Sequence, residues 1–197
     1  MCIRDRADVP GPVLAGTVEV AETGRWGANY TVPIGEDTVL NNLFEYTGLF
    51  VQASEDGTVV DIDSDADGTV DTTTTLSRGE TIHIDGGVLQ GATVAASAPV
   101  QVDLITGDRD SSVDSRWYLL RPTEAWSSEY LGPAATTDAS APASILIHNP
   151  HATDINIDIE TIAGTTSITV AAGATVCLLY TSPSPRDATL SRMPSSA

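Results

Sequence analysis

The residue types that could do chemistry are concentrated in one acidic run, Asp61-Ile62-Asp63-Ser64-Asp65-Ala66-Asp67-Gly68-Thr69-Val70-Asp71. From Asp63 it reads D-x-D-x-D-G-x-x-D. Calcium takes about six to eight hard oxygens, and carboxylates at alternate loop positions converge on it when a glycine allows a sharp turn. Asp63, Asp65 and Asp67 take the alternate positions, Gly68 the turn and Asp71 a later ligand position. The place where an EF-hand loop carries its bidentate acid holds Thr74, and the flanks read as a β-hairpin, not as helices. The competing reading is an acidic, solvated hairpin with an Asp-Gly turn. Five aspartates so close repel one another without a cation, which favours the metal. The expected ligand set is Asp61, Asp63, Asp65, Asp67 and Asp71, holding Ca²⁺ in a structural role.

Other candidates are weaker. His148-Asn149-Pro150-His151 spans a proline turn and has no obvious third ligand, so it reads as a turn pair of histidines. His83 falls on the polar side of an alternating strand. Trp26, Trp117 and Trp126 could stack on sugars, but Trp26 and Trp126 return with a repeat and read as structural. There is no Gly-x-Ser-x-Gly, phosphate-binding loop or zinc-spaced cluster, and both cysteines lie in the aberrant ends described below. No catalytic and no cofactor-binding residue is assigned, and an enzyme is not expected.

These residues must be positioned by strands. Ile82-His83-Ile84-Asp85, Val100-Gln101-Val102-Asp103-Leu104, Ile155-Asn156-Ile157-Asp158-Ile159 and Ile168-Thr169-Val170 alternate apolar and polar, with aliphatics on a buried face and Asp, Asn and Thr on a wet one. Glu55-Asp56-Gly57, Asp67-Gly68, Asp85-Gly86-Gly87 and Asn149-Pro150 punctuate the runs as turns. The pattern predicts strands near 13–21, 29–33, 46–53, 58–63, 72–76, 80–84, 91–106, 115–121, 143–148, 154–161 and 166–170, with no helix. Short strands with frequent turns imply sandwiches or small barrels.

The chain also nearly repeats itself. Trp26, Tyr30 and Pro33 return as Trp126, Tyr130 and Pro133, each 100 residues on. Thr58–Ile62 lines up with Thr153–Ile157, and Leu76–Thr81 with Val170–Thr175. A tandem module of this size points to an array. The expected architecture is all-β: two tandem β-sandwich-like modules, at 7–110 and 111–176, the second one truncated. Residues 1–6 and 177–197 break the pattern and resemble translated sequencing-adapter read-through on a gene called from an environmental (metagenomic) assembly. They are expected to be artefactual or disordered ends of a fragment whose own termini are missing.

The chain carries 27 acidic residues against nine basic ones, a formal charge of −18, and no lysine. Between residues 7 and 176 the balance is −20, from 25 acids and five arginines. Such a surface repels phosphate backbones, so nucleic acid is not an expected partner, whereas cations suit it. Cys2 and Cys177 both lie in the aberrant ends, which excludes a disulfide framework between them. No run reaches the length of a membrane span.

Several segments together resemble the IgGFc-binding protein N-terminal family in its prokaryotic surface-protein form. They are Val51–Val60 (VQASEDGTVV), Leu76–Thr81 (LSRGET), Leu89–Val94 with Ala98–Val102 (LQGATV, APVQV), and Trp126–Pro133 (WSSEYLGP). The likeness covers most of 16–176. It departs in lacking the family's cysteines, and its second repeat lacks the Pro-Val strand. The resemblance implies an extracellular or cell-surface location and an adhesive or binding role toward a protein or glycan. It supplies no catalytic residues, and Fc binding is not carried over. The alternatives are a purely structural spacer or envelope-layer repeat, and a fragment of a secreted glycan-active enzyme.

Overall fold

The computed structural model describes residues 2–4, 17–38, 44–107, 116–132, 143–161 and 164–180. Among these the regular structure is almost entirely strand, with short 3₁₀ turns and no α-helix, as the alternation predicts. The chain divides into two compact units, Met1–Trp126 and Ser127–Ala197.

In the first unit, β1 (Cys2–Arg4) pairs antiparallel with β2 (Thr17–Glu19). Seven strands form the main sheet: β3 (Gly27–Thr31), β4 (Tyr46–Ala53), β5 (Thr58–Asp63), β6 (Thr72–Leu76), β7 (Thr81–Ile84), β8 (Thr93–Gly107) and β9 (Arg116–Leu119). The 15-residue β8 is the hub. Its first part pairs with β5 and β3, and its second part with β4 and β9. One long strand thus belongs to two ladders, β6-β5-β8-β3 and β7-β4-β8-β9. The change from β5 to β4 falls around Ala98-Pro99, between Ala96 and Val100. Proline cannot donate to a ladder, and the Pro99 carbonyl accepts from the backbone N–H and the hydroxyl of Ser54 instead (3.2 and 2.6 Å). Val60, Ile62 and Val94 from one ladder, and Leu49, Val51, Val102 and Leu104 from the other, are all buried. Tyr30 closes this core with its hydroxyl, which donates to the Val100 carbonyl (2.6 Å) and accepts from Gly27 N–H (3.0 Å).

The second unit holds two antiparallel ribbons. β10 (Ala143–His148) pairs with β13 (Thr175–Tyr180), and β11 (Ile155–Thr161) pairs with β12 (Gly164–Val170). This is the pairing of β4 with β7 and of β5 with β6, and the register repeats too. Val51↔Ile82 and Gln52↔Thr81 return as Ile147↔Val176 and His148↔Thr175. Thr58↔Leu76 returns as Ile155↔Val170. The turn Ser77–Glu80, with Gly79 at φ 81°, returns as Ala171–Ala174, with Gly173 at φ 66°. Both turns close with a hydrogen bond between their end residues, and Ala53 N–H to Glu80 O returns as Asn149 N–H to Ala174 O (3.0 and 2.9 Å). Strand pairing also amends the sequence alignment: Thr58 corresponds to Ile155, two residues beyond Thr153.

The tryptophan segments repeat in detail. A 3₁₀ turn, Thr23–Arg25 or Thr123–Ala125, precedes each tryptophan. Trp26 Nε1 donates to Ala21 O (3.1 Å), and Trp126 Nε1 to Arg121 O (3.0 Å). Gly27 N–H to the Tyr30 hydroxyl is matched by Ser127 N–H to the Tyr130 hydroxyl (3.0 and 2.8 Å). The segment 116–126, which the sequence groups with the second repeat, is held in the first unit. β9 pairs with β8, and Glu124 Oε1 accepts from Ala28 N–H (3.0 Å). Strand β13 runs through Val176 into Cys177–Tyr180, continuing past the expected boundary. Residues 5–16 and 181–197 lie outside the described residues.

Candidate functional site

The acidic run forms the loop between β5 and β6. Alternation puts Val60 and Ile62 in the core, and the same strand carries Asp63 inward to 7 % exposure. Ala66 (φ 59°) and Gly68 (φ 87°) take left-handed conformations that fold the loop back. Asp63 Oδ2 accepts from Gly68 N–H (2.9 Å). Asp71 Oδ2 accepts from the backbone and hydroxyl of Ser64 (2.8 and 2.6 Å). Those two bonds hold the Asp71 carboxyl below the ordinary carboxylate range. Leu89 N–H to Ser64 O (2.8 Å) ties the loop to the segment before β8.

Carboxylate oxygens of Asp63, Asp65 and Asp71 lie within 4.8 Å of one another. Asp61 and Asp67 are not in that group. Asp61 faces across the hairpin and accepts from the Thr73 hydroxyl (2.6 Å), and Asp67 accepts from Thr69 N–H (2.7 Å). Oδ1 of Asp63 is buried and has no hydrogen-bond partner. A buried carboxylate oxygen left unpaired costs about 1–3 kcal/mol or more, so it needs a counter-charge or a donor. Three acids and one unpaired buried oxygen form a donor set suited to a hard cation, with further oxygens to come from backbone or water.

A second feature lies on the outward face of the β7-β4-β8-β9 ladder. Phe50 stacks on exposed His83 (ring centroids 4.2 Å, planes 8° apart) and on Trp117 (4.8 Å, 25°). Register pairs Phe50 with His83 and sets it opposite Asp103, whose partner is Leu119, while Trp117 pairs with Ile105 and so meets Phe50 on a diagonal. At the end of the row the Tyr46 hydroxyl donates to Asp85 Oδ1 (2.8 Å) and lies 3.4 Å from His83 Nε2. The ring faces turn toward one another, so the row shows mainly edges to solvent. Reading one residue at a time missed this row, because it is assembled from three strands; the available signal was His83, Phe50 and Trp117 on wet positions of alternating strands.

Beside the row, Asp103 is buried to 7 % exposure. Gln101 Nε2 donates to its Oδ2 (2.8 Å), while Oδ1 has no partner. Burial, with Glu19 nearby, raises its carboxyl above the ordinary range. His148 Nδ1 lies 2.9 Å from the Thr175 hydroxyl, and burial lowers its pKa.

No curated protein and no solved structure matches the chain. The family model described as IgGFc binding protein matches residues 16–193, nearly the full length that the β-strand order and the repeated tryptophan corners occupy. The chain therefore belongs to the IgGFc-binding protein family.

Proposed function

We propose that the chain is a non-catalytic adhesion or binding module of a secreted or cell-surface prokaryotic protein, acting on a polypeptide ligand, with its aspartate hairpin stiffened by calcium. The carrying observation is the family match over residues 16–193. A rigid sheet that displays loops and a wet face suits binding, because a fixed surface loses little entropy on contact. The strongly acidic surface favours cation-rich surroundings and steers basic partners. No helix of the described residues is long and apolar enough to cross a membrane.

Calcium would be held by Asp63, Asp65 and Asp71, and the buried Oδ1 of Asp63 supports this reading. The ion would neutralise the three acids and fix the β5–β6 loop against Leu89.

The test is surface plasmon resonance on the immobilised chain, in calcium and in chelator. Immunoglobulin Fc, immunoglobulin Fab and extracellular-matrix glycoproteins serve as analytes. Saturable binding to a protein analyte is the expected result. Failure of every analyte, with circular dichroism showing a folded sheet, would favour the spacer reading. Release of reducing ends from polymeric glycans would place the chain among enzymes.

A further inference from the structure

The three converging aspartates stand at one end of the wet face of the β6-β5-β8-β3 ladder. Register sets the side chains of that face in rows across the strands, and four strands make it about 14 Å wide. Thr73, Asp61, Ala95 and Asn29 follow one another in one row. In the next row Thr31 meets Thr93, and Thr93 meets Asp63 of the metal group. On the other side Thr75 meets Val59, whose N–H donates to the Ser97 hydroxyl (2.9 Å). No side chain in these rows is longer than that of asparagine, so no wall interrupts the face. Asn29, Thr73, Thr75, Thr93, Ala95 and Ser97 are all exposed, which leaves it open to solvent.

Asp65 and Asp71 are exposed, so an ion held with Asp63 meets solvent as well as protein. One oxygen from each carboxylate gives three ligands, whereas calcium takes about six to eight oxygens. Two adjacent hydroxyls of a sugar ring fit two of the open positions. We propose that this face is a glycan platform: the ion at the aspartates takes a vicinal hydroxyl pair of a neutral glycan, and the sugars beyond it lie over the Thr93 and Asn29 rows. Oδ1 of Asp63, in a residue only 7 % exposed and without a partner, is the independent sign that this loop is built around a ligand. Charge selects the class of glycan. The chain carries a formal −18, and three aspartates outweigh one divalent ion, so a carboxylate or sulfate is repelled where a hydroxyl is not. The face offers what sugar hydroxyls need: threonine hydroxyls and the Asn29 amide both donate and accept, and Asp61 accepts. This inference rests on the calcium reading above and adds a second ligand class to it.

The test immobilises the full chain on a biosensor and passes mannan, galactan and dextran over it, with calorimetric titration of calcium alone beside it. Saturable retention of at least one polymer in calcium is expected, and its loss in chelator. The same polymer should not be retained after periodate oxidation and borohydride reduction, which destroy vicinal diols. That control alters only the ligand, so misfolding of the protein cannot imitate it. Ala95→Ile raises an apolar wall in the middle of the exposed face; it should abolish retention and leave the calcium isotherm unchanged. Failure of all three polymers while calcium binds would overturn the glycan platform and leave the metal site standing, whereas failure of calcium to bind would overturn both. Equal retention of the oxidised polymer, retention in chelator, or full retention by Ala95→Ile would each overturn the platform. If instead an extracellular-matrix glycoprotein is retained equally before and after deglycosylation and the polymers are not, the face serves a polypeptide.

Discussion

At the scale of single residues, the aspartates divide by what surrounds their oxygens. Asp63, Asp65 and Asp71 converge, while Asp61 and Asp67 are spent on Thr73 and on a backbone N–H. If calcium binds the folded chain alone, stability rises by about 2.7 kcal/mol at a hundredfold excess of free ion over the dissociation constant. Asp65→Ala should remove most of that gain and cost little in chelator, where it relieves repulsion. Calorimetric melts in calcium and in magnesium at equal ionic strength check this, and identical curves for the two ions would leave only screening. Two carboxyls also differ in their response to pH. Asp103, raised by burial, binds a proton more readily in the folded chain than in the unfolded one. Its contribution therefore declines as pH rises from the ordinary aspartate value through its folded value. Asp71, lowered by its Ser64 bonds, acts in the opposite sense: its contribution is present above the ordinary value and is lost as pH falls through the folded one. Carboxyl ¹³C NMR titration in chelator should find Asp103 titrating above Asp71, and the reverse order would contradict both environments.

At the scale of elements, close approaches decide which positions tolerate change. A β-carbon on Gly35 would lie 2.2 Å from backbone atoms of Leu89 and Gln90, so no side chain could give way. Gly35→Ala should cost about 1–3 kcal/mol through overpacking. A thermal melt checks it beside Gly57→Ala, a turn glycine with open space around it but φ 73°, which should lose less. The strands themselves were legible in the sequence. β4, β5, β6 and β10 match the alternation residue for residue, because one buried face fixes a period of two. β13 was not legible, since Cys177 to Tyr180 follow a change of composition, yet backbone pairing with β10 extends through them. Of the site, the loop could be read from Asp spacing. The direction of each carboxylate could not, because it depends on Ala66, Gly68 and the Ser64 bonds. The ring row on Phe50 was hidden for a different reason: register across strands is a tertiary property.

At the scale of the molecule, burial predicts an uneven distribution of stability. Amides of β8 are bonded along both edges and lie over a core at 0 % exposure. Among the described residues the ribbons of the second unit are two strands wide, and two-stranded ribbons are marginal by themselves. Hydrogen exchange followed by mass spectrometry should find residues 100–105 among the slowest and residues 155–161 at least tenfold faster. Comparable rates would show that the second unit is as cooperative as the first. The charge adds a salt response. With 25 acids and five arginines between residues 7 and 176, self-repulsion weakens the compact state at low ionic strength. Raising sodium chloride from 10 to about 150 mM should therefore raise the melting midpoint, because the screening length shortens from about 30 to 8 Å.

The placing of β8 also bears on how the chain comes off the ribosome. β3, β4 and β5 all precede the strand that joins them, so the β6-β5-β8-β3 ladder cannot close until Val100 has been synthesised, nor the β7-β4-β8-β9 ladder until Leu119 has. Until then two hairpin-like ribbons wait with unpaired edges, and sequence-distant pairing of this kind is slow and exposes chains to aggregation. The acidic wet faces of the waiting strands, Asp61 among them, would keep nascent chains apart by like charge. In this protein the order of elements makes synthesis of one strand the moment at which folding becomes possible.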